Sequence, residues 1–131
     1  MTKLRSIAVR GVLDGLRFLA NRTPTTTPEE SADAFAILAE YRDGGIFVGH
    51  YAGTSEWEKH SGGDEIVFAL DGETTLFLFM EGEETPHRLG EGELIVVPGN
   101  TWHRFETPNG VKIMTVTPQP TDHSVEFPGD A

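Results

Sequence analysis

Two stretches decide how this chain is read: Trp57-Glu58-Lys59-His60-Ser61-Gly62-Gly63-Asp64-Glu65 and, further on, Pro98-Gly99-Asn100-Thr101-Trp102-His103. Each lies between short apolar runs closed by glycine, the punctuation of strands and tight turns rather than of helices. Side chains alternate along a strand, so residues two apart share a face. Glu56, Glu58 and His60 therefore point one way, and Trp57 and Lys59 the other. After the Gly62-Gly63 turn the next strand returns Glu65 to the same interior, while Asp64 is left to solvent or to capping the turn. On the later strand His103 and Phe105 share a face, opposite Trp102 and Arg104.

His60, Glu65 and His103 then meet as two imidazoles and one carboxylate, a set that holds a divalent ion and leaves positions open for substrate or dioxygen. The chain has no cysteine, so any metal must be held by histidine and carboxylate; Fe, Mn, Ni, Cu and Zn all accept such ligands. Glu58 has three readings: a fourth ligand, a general base beside the metal, or a solvated carboxylate at the barrel mouth. His50 alternates with Ile46 and Val48 and is the other acid or base candidate, although a hydrogen-bonded core or rim role is commoner. His87 and His123 read as surface residues, and Trp57 and Trp102 as packing groups facing away from the interior.

With 131 residues the chain makes one domain, long enough to bury one core. A formal charge of -11 repels phosphate backbones and anionic lipid, so neither nucleic acid nor membrane is an expected partner. The basic residues Lys3, Arg5, Arg10, Arg17 and Arg22 precede the first Glu, but Gly11, Asp14 and Gly15 break any signal-peptide core. The segment reads as part of the mature fold, and the protein as cytoplasmic.

The expected class is all-β, with one short helix near the N-terminus. Thr27 caps it, Pro28 opens it, Glu30 closes a capping box, and it runs to about Ala34. Residues 35–41 are strand-like, and strands are expected at 46–51, 55–61, 65–70, 74–80, 86–89, 94–97, 102–107 and 112–117. Asp71-Gly72 and Asn109-Gly110 read as hairpin turns. The chain after Pro118 reads as a loose arm. Thr74–Met80 is apolar on both faces, so one face must be covered by the N-terminal segment or a second subunit, and a homodimer is expected.

The two stretches together resemble the cupin superfamily. Glu58-x-His60-x4-Glu65-x6-Gly72 follows its first motif with Glu in place of the first His, and Gly53 lies one residue too close to that position. Gly92, Pro98 and His103 follow the second motif, with Asn100 at its second Gly and Thr107 at its final Asn. The resemblance covers about residues 45–117 and implies a jelly-roll barrel, a double-stranded β-helix, with a divalent metal inside. Residues 1–44 would precede this barrel and residues 118–131 would follow it.

Replacing a neutral His by Glu58 brings the ion and its ligands close to neutrality, and Lys59 and Arg104 point away. A neutral or weakly polar ligand is therefore expected. The leading functional reading is a metal-dependent enzyme acting on a small organic molecule, of dioxygenase, isomerase or lyase type. The alternative is a non-catalytic cupin that binds or senses a small ligand.

Overall fold

The computed structural model describes residues 4–129, so Lys3 and the last two residues of the expected C-terminal arm lie outside it. The chain forms helix α1 (Val9–Asp14), strand β1 (Leu19–Arg22), helix α2 (Pro28–Ser31) and strands β2 (Phe35–Tyr41), β3 (Gly44–Thr54), β4 (Trp57–His60), β5 (Glu65–Gly72), β6 (Thr74–Met80), β7 (Glu83–Leu89), β8 (Leu94–Val97), β9 (His103–Pro118) and β10 (Thr121–Ser124). This is the expected all-β jelly roll.

The long strand β9 is its spine. On one side it pairs antiparallel with β3, from Gly44 opposite Pro118 to Thr54 opposite Glu106. On the other side it pairs first with β5, from Ile66 opposite Val116 to Gly72 opposite Val111, and then with β6, from Thr75 opposite Glu106 to Leu78 opposite His103.

That pairing overturns both expected hairpins. Asp71-Gly72 and Asn109-Gly110 lie at the junction of β5 with β6 and within β9, and the two glycines abut. A Cβ on Gly72, whose φ is 76°, would come within 2.3 Å of the Gly110 carbonyl oxygen. Gly110 itself has φ 102°. Positive φ serves a bend in a continuing strand as well as a turn, and here paired strands bend together to make a barrel corner. The two-residue hairpin lies instead at Glu81-Gly82, where φ values of 54° and 78° fit a turn of the kind that matches strand twist.

The capping box at Thr27 forms as expected: Glu30 N–H donates to Thr27 Oγ1 at 3.2 Å and Thr27 N–H to Glu30 Oε1 at 3.0 Å. The helix stops at Ser31 rather than Ala34, because fully buried Ala34 is drawn onto the sheet, its carbonyl accepting from His50 N–H at 3.0 Å. Helix α1 is an addition to the sequence reading. Its Gly11 and Asp14 are poor helix formers, and burial of Leu13 against Val48 and Leu38 outweighs them.

Two apolar clusters result. One fills the barrel and includes Tyr51, Val67, Leu76, Leu78, Phe105 and Ile113. The other lies between α1 and the outer face of the sheet. The N-terminal segment thus covers β3, and the outer face of β6 is covered from the same chain: the Arg104 guanidinium lies 4.2 Å from the Phe77 ring, and Phe127 packs on Phe79 at 5.0 Å. The C-terminal arm is not loose, since β10 pairs antiparallel with β4. No helix among the described residues is long and apolar enough to cross a membrane.

Candidate metal centre

Strands β4, β5 and β9 each deliver one side chain of the expected trio to the barrel interior. The loops that end these strands are tied together. Gly99 N–H donates to Asp64 Oδ1 at 2.8 Å, and Asn100 N–H to the His60 carbonyl at 2.8 Å. Gly99 lies against Gly63, where a Cβ would come within 2.8 Å of the Gly63 carbonyl carbon. Asn100 has φ 59°, a conformation Asn tolerates better than most residues, so it serves where the motif places glycine.

Ligand atoms of His60, Glu65 and His103 all lie within 4.8 Å of one another. His103 Nε2 is 3.1 Å from Glu65 Oε1, and His60 Nε2 is 3.4 Å from Glu65 Oε2. All three residues are buried. The far side of each group is held by a threonine. His103 Nδ1 donates to the Thr101 carbonyl at 2.9 Å, His60 Nδ1 meets Thr121 Oγ1 at 2.9 Å, and Thr117 Oγ1 donates to Glu65 Oε2 at 2.6 Å. A proton committed to the Thr101 carbonyl leaves Nε2 of a neutral His103 as a lone pair.

His60 Nε2, His103 Nε2 and Glu65 Oε1 are buried and lack a hydrogen bond of proper geometry. Buried polar atoms are rarely left this way. Three lone-pair atoms converging on one point, with their other atoms already bonded, fit a divalent cation in both ligand type and outer support. Burial would raise the Glu65 carboxyl, but the two imidazoles outweigh it and hold the group down at about 2. Burial likewise opposes charge on His103, and Glu65, the Thr101 carbonyl and Glu58 together push its imidazole up.

Beside the trio is a cavity of about 360 Å³ lined by Glu65 and Glu58, with walls that include Phe35, Tyr51 and Phe105. Glu58 stands opposite His103 across the β4–β9 pair, in the cavity but outside the compact trio. His50 is not brought to the site. Its neighbour Tyr51 takes the inward face, and His50 packs on Phe18 at 4.7 Å, where burial and Lys112 lower its pKa. Lys59 and Arg104 face away as expected, Lys59 over the Trp102 ring and Arg104 paired with Glu84 and Glu106.

Three features escaped the sequence reading. Thr121 reaches His60 from the arm read as loose, and His123, read as a surface residue, lines the cavity and pairs with Glu56 at 2.6 Å. Arg22 enters the cavity from β1, a strand of four residues, too short to be read from alternation.

Comparison with known proteins agrees with this fold. A structure from Neisseria meningitidis superposes with a TM-score of 0.65 at 17% identity, over 88% of this chain and 100% of that one. A cupin-2 domain protein from Shewanella frigidimarina gives 0.57 at 22% identity, over 65% and 79%. Hydroquinone 1,2-dioxygenase from Sphingomonas, crystallised with 4-hydroxybenzoate, gives 0.56 at 16% identity, over 70% and 67%. No curated protein matches the chain in sequence. The family model of the cupin domain matches residues 47–117, a span that contains all three residues of the trio and Thr117, which holds Glu65, and the chain belongs to the cupin family.

Proposed function

We propose that this cupin binds a divalent ion through His60, Glu65 and His103 and acts on a small organic molecule held in the adjoining cavity. The observation that carries this reading is the convergence of three buried, unpartnered lone-pair atoms beside a cavity with apolar walls. When bound, the ion supplies Lewis acidity toward a substrate oxygen or a place for dioxygen.

The chain's own groups do the rest. Thr101 and Thr121 fix the two imidazole rings, Thr117 fixes the carboxylate, and Glu58 faces the cavity as the group able to take or give a proton. The ligand types suit Fe, Mn, Ni, Cu or Zn. The Sphingomonas dioxygenase supports redox chemistry as one use of this barrel.

A second reading keeps the cavity and removes turnover. Of the trio only Glu65 lines the cavity, and the imidazoles of His60 and His103 are 3% and 1% exposed, a depth that suits retention of a ligand by a binding or sensing module. Tight retention of a small molecule without conversion would select this reading.

Elemental analysis of protein purified without chelator or metal-scavenging tag tests the metal. About one equivalent is expected. His60→Ala and His103→Ala should each weaken binding by at least about 10–100-fold, since loss of a mere supporting partner costs that much. Variants with undiminished metal content and thermal stability would overturn the reading.

A further inference from the structure

Arg22 is a cation placed inside the cavity by a backbone device. Strand β1 runs parallel to β3, with Arg22 opposite Gly53. A Cβ on Gly53, whose φ is 114°, would come within 2.1 Å of the Arg22 carbonyl oxygen. The glycine that sits one residue too close to the metal motif therefore has a use of its own: it lets β1 approach closely enough to bring Arg22 to the cavity.

The Arg22 guanidinium lies 4.5 Å from the Tyr51 ring centroid and 5.1 Å from that of Phe35. Both rings are cavity walls, and contact with them restrains the guanidinium. None of the ion pairs among the described residues includes Arg22. The other charges that line the cavity are Glu58 and Glu65, together with His123, which is paired to Glu56. A divalent ion offsets the two lining carboxylates, and Arg22 then leaves one positive charge uncompensated. This reverses the expectation of a neutral ligand, which weighed Glu58, Lys59 and Arg104 but not Arg22.

We infer that the cavity takes a small monoanionic carboxylate with an aromatic or apolar body, and that Arg22 is the residue that selects it. The inference rests on the reading that this cavity receives the substrate. The planar fork of arginine matches a carboxylate with paired hydrogen bonds, and Phe35, Phe47, Phe105 and Ile113 supply the apolar wall for the body.

Benzoate and benzamide, nearly equal in shape and different in charge, are suitable probes. Titration of the metal-loaded protein by calorimetry should show benzoate bound about 10–100-fold more tightly than benzamide, the range of a charge-assisted pair. Arg22→Met should abolish that preference by weakening benzoate more than benzamide while metal content stays unchanged, and Arg22→Lys should retain part of it. Equal affinity for the two compounds, absence of benzoate binding, or a preference that survives in Arg22→Met would overturn the inference. The same titration on metal-stripped protein separates this inference from the metal reading. A stripped chain that takes up no metal when it is offered again but keeps an Arg22-dependent preference refutes only the metal reading. A chain that holds metal but lacks the preference refutes only the role of Arg22.

Discussion

His103 Nε2 faces Glu65 Oε1 at 3.1 Å while His103 Nδ1 gives its proton to the Thr101 carbonyl, so two lone-pair atoms oppose each other in a buried site unless a proton or a cation lies between them. Proton and metal are thus alternatives for one position.

This competition predicts opposite pH trends for the metal-free and metal-loaded protein. Glu65 is depressed from 4.5 to about 2, so its contribution is complete above about pH 4.5 and is lost as pH falls toward 2. His103 is raised above 6.5, so its contribution is complete below about pH 6.5 and is lost as pH rises through its folded value. The pair therefore helps the metal-free protein most between these limits. Metal binding needs the free nitrogen, so the rise in melting temperature caused by saturating Zn(II) should be small near pH 5.5 and large near pH 8. Thermal melts with and without metal across this range would measure it, and an equal rise at both ends would refute the shared position.

Glu58 lines the cavity outside the trio, and we propose proton transfer for it in preference to ligation. Glu58→Gln keeps the size and removes the charge. Metal content should stay at the wild-type level, and the His103 imidazole, which Glu58 helps to push up, should titrate at lower pH in the metal-free variant. NMR titration of the histidines together with elemental analysis would check both. A fall in metal content would make Glu58 a ligand.

The site was more legible in the sequence than the path of the strands. Alternation put His60, Glu65 and His103 on inward faces, and the order and spacing of the two motifs brought their strands together. Asp71-Gly72 and Asn109-Gly110 misled because glycine announces positive φ without saying whether the chain reverses or bends; only their contact across two strands decides. Arg22 and Thr121 were illegible for a related reason. Each reaches the site from a four-residue strand whose place is set by tertiary pairing, with β3 in one case and β4 in the other.

Helix α1 should be required for stability rather than decoration. Leu13 is 1% exposed and packs in the cluster with Val48 and Leu38. Leu13→Ala should destabilise the fold by about 2–5 kcal/mol, the usual range for emptying such a site. Deleting residues 1–22 should cause aggregation, because the apolar outer face of β3 loses its cover and Arg22 leaves the cavity wall. Urea denaturation of the point variant and sedimentation of the truncated chain would test this, and a truncated protein that stays soluble and equally stable would refute it.

A homodimer is still predicted, on a surface different from the one the sequence suggested. The outer faces of β3 and β6 are covered within the chain, which removes the original motive. Apolar side chains remain exposed where β8 pairs with β5: Ile66 lies directly opposite Val96, and Leu94 shares the face of Val96 two residues away. Ile66, Leu94 and Val96 are 39%, 58% and 50% exposed, and among the described residues β8 pairs only with β5, so its outer edge offers backbone donors and acceptors as well. A cluster of this kind matches the self-complementary patch that a two-fold dimer needs. Sedimentation at micromolar concentration should show a dimer, and Val96→Lys should shift it toward monomer, since a charge would face its own copy near the two-fold axis. Metal content in the variant should be unchanged, because β8 carries none of the trio. A wild-type monomer, or a Val96→Lys protein that stays fully dimeric, would remove this surface as the interface.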